Sequence, residues 1–334
     1  MAEPCLLIGD LGGTNARFAL AMKRQNRFED ELSLSCADYP TAEDAIDHYL
    51  AETGRRRPDV ICLAVAGPIV NQTVRFLNNN WTLGAGELAG RYPGARVRLL
   101  NDFEAVAYSL PLLESNDLQA IGLPGPCDLA AAGDFTVGVV GPGTGLGVGG
   151  LLSREGRVYP LVGEGGHAGF APETKVQLAV LEQLRGRFER VSNERLLSGP
   201  GLQNVFWALQ RIHGRPTESA DPAEIFRRAQ GNEDEIASET VQLFFEALGQ
   251  VSGNLALALG THEGIHIAGG IVRRYPELLK SSSFRSGFEN KGRHRSLMEQ
   301  IPTCLVTYPQ PGLLGASFMA RELHSHAGRR KARK

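Results

Sequence analysis

The sequence predicts an α/β protein built as two similar domains. Three observations carry that expectation. Short apolar runs of strand length alternate with helical patterns, the grammar of a sheet layered with helices. One local unit, a strand, a glycine-threonine turn and a returning strand, occurs near residue 10 and again near residue 140. At 334 residues the chain is also longer than one ordinary domain of ~100–200 residues. A chain of this length can bury roughly three-quarters of its unfolded surface, so it needs no metal or disulfide staple. In this reading each domain offers a glycine turn to a shared cleft.

The elements follow in order. Residues 6–10 read as a first strand and 17–21 as its returning partner, with the turn Leu11-Gly12-Gly13-Thr14-Asn15 between them. A helix is expected over 41–50, with Thr41 and Asp44 spaced as a capping box and Ile46, Tyr49 and Leu50 on one face. Residues 60–65 form a buried strand ending before Gly67-Pro68, and 97–100 another that runs into Asn101-Asp102 and a helical stretch at 103–110. The second copy of the grammar is a strand at 136–140, the turn Gly141-Pro142-Gly143-Thr144-Gly145, and a returning strand at 146–152. Helices are expected at 174–184, 201–212, 223–229 and 234–259, the last apolar enough in its second half to be a buried central helix. A strand at 264–268 leads into Gly269-Gly270, another spans 303–308, and 312–323 makes a final helix. The basic tail 329–334 reads as a solvated, frayed end.

Composition narrows the function. With 35 Lys+Arg against 37 Asp+Glu and a formal net charge of −2, neither nucleic acid nor an anionic membrane is expected as the main partner. No run approaches the ~20 apolar residues of a membrane span. The N-terminal residues lack a basic n-region, and their apolar run stops at Asp10, so no secretory signal is expected. Cys5, Cys36, Cys62, Cys127 and Cys304 are scattered and form no C-x-x-C, which argues against structural zinc and disulfides and fits a reducing cytosol. Glycine alone departs from ordinary usage. There are 40, where average usage of ~7% implies roughly 23.

Those glycines concentrate in two turns. Glycine permits positive φ and close approach of the backbone to a ligand, so successive N–H groups can converge on an anion. The first turn adds the carboxylate of Asp10, suited to a hydrated Mg²⁺, and the hydroxyl and amide of Thr14 and Asn15. The plainer alternative is a tight hairpin, where Gly-Gly and Asn serve sterically. The second turn at 141–147 favours phosphate. Two other nucleotide motifs are excluded: the chain has no Gly-Lys dipeptide for a Walker A loop, and the formal G-x-G-x-x-G at Gly145, Gly147 and Gly150 sits in a stretch too glycine-rich and uncapped to open a helix.

A second group of residues is polar and suits a sugar. Asp102 follows a strand directly, where α/β sheets bind ligands; the same position also suits a helix N-cap. Gly163-Glu164-Gly165-Gly166-His167 places two titratable groups in a loop flexible enough to turn them to one point. Glu194, just before Leu196-Leu197-Ser198-Gly199-Pro200-Gly201, is undistinguished by itself.

Together, Gly9-Asp10-Leu11-Gly12-Gly13-Thr14-Asn15-Ala16-Arg17, Leu100-Asn101-Asp102-Phe103, Gly143-Thr144-Gly145-Leu146-Gly147, Gly163 to His167, Glu194-Arg195 with Leu197 to Gly201, and Ala268-Gly269-Gly270-Ile271 resemble the bacterial glucokinase family, in that family's order and across residues 8–323. The resemblance implies a two-domain actin-like ATPase fold of the hexokinase type (ribonuclease H-like), with a cleft between the domains that closes on sugar and ATP. It implies a small α/β domain at 1–112 completed by 309–334, a large one at 113–308, a homodimer, and a cytoplasmic location. Position by position, Gly9, Asp10, Leu11, Gly12, Gly13 and Thr14 match the first phosphate loop, with Asp10 beside a Mg²⁺ ion that arrives with ATP and is held through water. Gly143, Thr144 and Gly145 match the second phosphate loop, and Gly269 and Gly270 the adenosine segment. Asn101, Asp102, Glu164, His167 and Glu194 match the sugar-hydroxyl ligands, Asp102 being the base toward the 6-hydroxyl. A neighbouring family of repressors and sugar kinases carries a cysteine zinc motif after its Gly-Glu-x-Gly-His segment. Here no cysteine follows His167 until Cys304, so neither zinc nor that branch is expected. The start of the first strand near Cys5 likewise leaves no helix-turn-helix to be expected before it.

The expected reaction is transfer of the γ-phosphoryl group of ATP to the 6-hydroxyl of D-glucose, with Asp102 as general base. Two alternatives stay open from the sequence: a kinase of another hexose or an amino sugar, and a sugar-responsive binding protein without catalysis.

Overall fold

Two sheets organise the chain in the computed structural model, which describes residues 4–23, 27–55, 57–76 and 79–331, the last six by backbone alone. The chain divides into two compact units, Met1–Leu113 with Tyr308–Lys334, and Glu114–Thr307.

The first unit opens with β1 (Leu6–Leu11), β2 (Asn15–Ala21), β3 (Phe28–Ser35) and α1 (Ala42–Glu52). It continues through β4 (Val60–Val65), the short strands β5 (Ile69–Val70), β6 (Thr73–Arg75) and β7 (Thr82–Gly84), α2 (Ala85–Arg91), β8 (Arg96–Asn101) and α3 (Asp102–Ser109). The main sheet has the order β3-β2-β1-β4-β8. Its first three strands are antiparallel, and β1, β4 and β8 run parallel. All six residues of β4 are buried, as a central strand covered on both faces requires. Each Val, Ile or Leu so buried contributes roughly 1.5–3 kcal/mol relative to exposure. Thr41 caps α1 by accepting the N–H of Asp44 at 3.1 Å.

The second unit contains β9 (Leu118–Ala120), α4 (Leu129–Ala132), β10 (Phe135–Pro142), β11 (Leu146–Arg154) and β12 (Arg157–Val162). The helices α5 (Lys175–Arg185), α6 (Gly199–Ile212), α7 (Pro222–Gln230) and α8 (Glu235–Leu259) follow. Then come β13 (Ile265–Ile267), α9 (Gly270–Arg274), α10 (Pro276–Ser281), α11 (Phe284–Glu289), α12 (Arg295–Met298) and β14 (Thr303–Val306). The sheet order is β12-β11-β10-β13-β14-β9. Again three sequential strands are antiparallel, and β10, β13 and β14 run parallel. The repeated grammar of the sequence is therefore a repeated sheet topology. α8 is the buried central helix, its core face including Phe244, Phe245 and Leu248.

The last helix, α13 (Pro311–Lys331), belongs to the first unit. It packs on α3, β1 and β4, burying Leu313, Leu314, Ala316 and Ala320. Each unit has its own apolar core.

Several expectations shift. The helix expected at 201–212 begins at Gly199, because Ser198 accepts the N–H of Gly201 at 2.9 Å and Pro200 fits the first turn, where its missing N–H is harmless. As expected, the formal G-x-G-x-x-G opens no helix: it starts in the turn at Gly145 and continues into strand β11. The helix expected at 312–323 starts at Pro311 and runs to Lys331, so the expected frayed tail is helical in part; its side chains and residues 332–334 lie outside the described residues.

Candidate active site

In the first unit, the turn at 12–14 joins β1 to β2, and Gly12 N–H closes it onto the carbonyl of Asn15 at 2.9 Å. Three loop carbonyls are drawn to neighbours: that of Thr14 accepts the Cys36 N–H at 2.9 Å, that of Gly13 accepts Asn79 Nδ2 at 3.2 Å, and that of Gly12 faces the Cys36 thiol at 3.7 Å. The loop is thus anchored from its carbonyl side. Gly12, Gly143 and Gly145 all lie outside the left-handed region, so positive φ, expected from sequence, is not what glycine supplies at these three positions. Leu11 is wholly buried in the first core, and Gly9 is buried inside β1, where a Cβ would come within 2.7 Å of Leu63 Cδ2.

Asp10 stands at the end of β1 with its side chain 28% exposed and its Oδ2 4.0 Å from Arg17 Nη1. Burial pushes its carboxyl pKa up, and the Arg17 guanidinium pulls it partly back. The first turn of α13 lies beside it: a Cβ on Gly312 would be 3.2 Å from Asp10 Oδ2. Cys36, Asn79 and Gly312 were invisible as site-supporting residues, since their place depends on pairing far along the chain.

At the C-terminal end of β8, Asn101 is the N-cap of α3. Its Oδ1 accepts from the N–H groups of Phe103 at 2.9 Å and Glu104 at 3.3 Å, and Glu104 Oε2 accepts the Asn101 N–H at 3.3 Å, completing a capping box. The cap role open to Asp102 from sequence therefore falls on Asn101. Asp102 is the first helical residue, partly exposed, with Oδ1 accepting the Phe103 N–H at 2.9 Å.

In the second unit, the turn between β10 and β11 is closed by the Gly143 N–H on the carbonyl of Gly145 at 2.8 Å. The N–H of Gly199, the first residue of α6, donates to the carbonyl of Gly143 at 2.8 Å. Gly269, just before α9, packs so tightly on the carbonyl of Pro142 that any Cβ would collide with it. Gly143, Thr144, Gly145, Gly269 and Gly270 are thus brought to one place. The same unit gathers three of the sugar candidates. Glu164 and His167 flank a single turn (Gly165–His167), closed by the His167 N–H on the Glu164 carbonyl at 3.0 Å. His167 Nε2 lies 4.0 Å from Glu164 Oε2 and its Nδ1 3.9 Å from Glu194 Oε1. Glu194 Oε2 accepts the Leu146 N–H at 2.9 Å. Arg190, which the sequence did not mark, holds the His167 carbonyl from Nη1 at 2.7 Å. Two carboxylates and an imidazole, exposed enough to reach solvent, offer what vicinal hydroxyls need: acceptors with one switchable partner.

Among the described residues no group of three or more His, Cys, Asp or Glu side chains could hold a metal ion, and no helix is long and apolar enough to cross a membrane.

The two sheets, each with three antiparallel strands continued by two parallel ones and a glycine turn after β1 or β10, and with β9 as an antiparallel edge of the second, define the class: a two-domain actin-like ATPase fold. The family model described as Glucokinase matches residues 7–323, and the chain belongs to the glucokinase family. It is 41% identical over 313 residues to a glucokinase of Caulobacter sp. strain K31, covering 93% of each chain. It is 40% identical over 322 residues to one of Tolumonas auensis, covering 96% of this chain and 98% of the relative. A crystal structure of glucokinase from an Antarctic psychrotroph superposes with a TM-score of 0.86 at 33% identity, covering 95% of this chain and 98% of that one.

Proposed function

We propose that the chain is an ATP-dependent kinase that transfers the γ-phosphoryl group to the 6-hydroxyl of D-glucose, giving glucose 6-phosphate and ADP, with Asp102 as general base. Family membership supports the activity. The observation that carries the base is the place of Asp102, the first residue of α3 directly after the C-terminal end of the parallel strand β8.

The hydroxyl is a weak nucleophile, and a positioned carboxylate that takes its proton contributes ~10²–10⁴-fold. Asn101 commits Oδ1 to the cap and turns its Nδ2 hydrogens to a sugar oxygen. Glu164 and Glu194 accept from the remaining hydroxyls, and His167 donates or accepts according to its tautomer. Backbone N–H groups of Gly13 and Thr14 and of Thr144 and Gly145 face phosphate oxygens, while Gly12 and Gly143 spend theirs closing the two turns; Gly9 and Leu11 act by shaping the first loop, and Gly269-Gly270 forms the adenosine side. The carboxylate of Asp10 suits a Mg²⁺ ion that arrives on the triphosphate and keeps its waters. When bound, that ion neutralises phosphate charge. A homodimer and a cytoplasmic location belong to the same reading, and light scattering at working concentration checks the dimer.

A coupled assay over a panel of hexoses, amino sugars and nucleotides tests the proposal. Glucose with ATP should give the highest kcat/KM. A markedly higher value for another acceptor, or binding without turnover, would replace it.

A further inference from the structure

Glu194 holds two loops at once. Its Oε2 takes the backbone N–H of Leu146, the residue that closes the second glycine turn, at 2.9 Å, while its Oε1 faces His167 Nδ1 at 3.9 Å. The carboxylate also rests directly on Gly145: a Cβ there would come within 2.6 Å of Oε2 and 3.4 Å of the carboxyl carbon. The backbone of Glu194 cannot easily give way. Its carbonyl accepts the Ser198 hydroxyl at 2.8 Å, and Asn193 N–H ties the turn to the Ala168 carbonyl at 2.9 Å. From the other side, Gly166 of the Glu164–His167 turn abuts the Leu146 carbonyl so closely that no Cβ fits. The Leu146 residue is therefore gripped through its N–H by one sugar candidate and covered at its carbonyl by the loop carrying two more.

We propose that Gly145 is a positioning residue for the sugar, acting through Glu194, although it lies in a loop whose resemblance assigns it to the nucleotide. Glycine is needed there because the carboxylate occupies the place of a side chain, and the Leu146 N–H fixes which oxygen is left for the substrate. A methyl at 145 displaces that carboxylate from the Leu146 N–H and from the face it turns to His167. The inference rests on reading Glu164, His167 and Glu194 as the hydroxyl ligands.

The test is calorimetric titration of glucose without nucleotide, on wild type, Gly145→Ala, Glu194→Ala, His167→Ala and the Gly145→Ala/Glu194→Ala double variant. Losing a hydrogen bond to a charged group weakens binding about ten- to a hundred-fold, and Gly145→Ala should raise the glucose Kd by that order. It should add little once Glu194 is already alanine, because the two act through one carboxylate. An effect of Gly145→Ala on glucose that does not pass through Glu194 would instead add fully in the double variant, and loop damage confined to the nucleotide side would raise the ATP KM while sparing glucose; either result overturns the proposal. If Glu194→Ala weakens glucose but Gly145→Ala does not, the positioning role is overturned and the sugar reading stands. If neither Glu194→Ala nor His167→Ala weakens glucose, both fall. Should Gly145→Ala not fold, hydrogen exchange on wild type decides: glucose alone should slow exchange at the Leu146 amide, and unchanged exchange overturns the proposal.

Discussion

Asp102 and Asn101 are neighbours with separable tasks, and single substitutions can tell them apart. Asp102→Asn keeps size and the contact to Phe103 N–H but cannot take a proton, so kcat should fall ~10²–10⁴, with glucose affinity by calorimetry and the melting temperature changed far less. Asn101→Ala removes the cap and should lower unfolding free energy by ~0.5–2 kcal/mol in urea titration. If Asp102→Asn turns over within a few-fold of wild type, the base must be sought elsewhere. His266 gives a pH test at the same scale. It is 2% exposed on β13, opposite Cys304 on β14, and burial holds its pKa down to about 4 from 6.5. A depressed histidine is neutral in the fold, and the unfolded chain takes up its proton first as pH falls. Its contribution is therefore full above about 6.5 and lost toward 4, roughly 2 kcal/mol by pH 5. Urea unfolding at pH 7 and pH 5 should show the loss, and His266→Gln should shrink it.

At the scale of elements, close helix crossings carry much of the geometry. Gly315 of α13 sits on the carbonyl of Ala105 in α3, and Gly249 of α8 on that of Phe284 in α11, each too close for a Cβ. Gly315→Ala must push α3 aside, and α3 begins at Asp102. It should destabilise by ~1–3 kcal/mol and lower kcat as well; Gly249→Ala should show a stability loss of the same order. Thermal melts with kcat measured below the transition separate the two. Legibility also divides by element. Central strands such as β1, β4 and β10 announce themselves as apolar runs ended by glycine turns. The strands missed lie at sheet edges or are very short, and the helices missed, such as α2, α10 and α11, run to seven residues at most. β3 (Phe28–Ser35) is half exposed and carries three acidic residues, β12 (Arg157–Val162) contains Pro160, tolerated only at an edge, and β5 to β7 span two or three residues each. Pairing within the fold, rather than residue pattern, makes them strands. The candidate site shows the same limit: the glycine turns and the loop from Glu164 to His167 stand out by residue pattern, whereas Glu194 is marked only by the family resemblance, and its bond to the Leu146 N–H depends on the fold.

For the whole molecule, a ligand that binds only the folded state must stabilise it. Glucose at a hundred times its Kd should add about 2.7 kcal/mol of stability, visible as a raised melting temperature by scanning calorimetry; no shift at saturating sugar would contradict glucose binding. Chain order adds a constraint of another kind. The first unit is finished by α13, which is made only after Glu114–Thr307 has been translated. At ~5–20 residues per second that interval is roughly 10–40 s. Throughout it the faces of β1, β4 and α3 that later receive Leu313, Leu314 and Ala316 stay uncovered, so the ribosome holds a half-built domain while the second folds. A nascent chain arrested with Thr307 just outside the exit tunnel should yield to protease a stable fragment starting near Glu114, while residues before it are digested. Equal protection of both parts would show that the first sheet closes without its last helix.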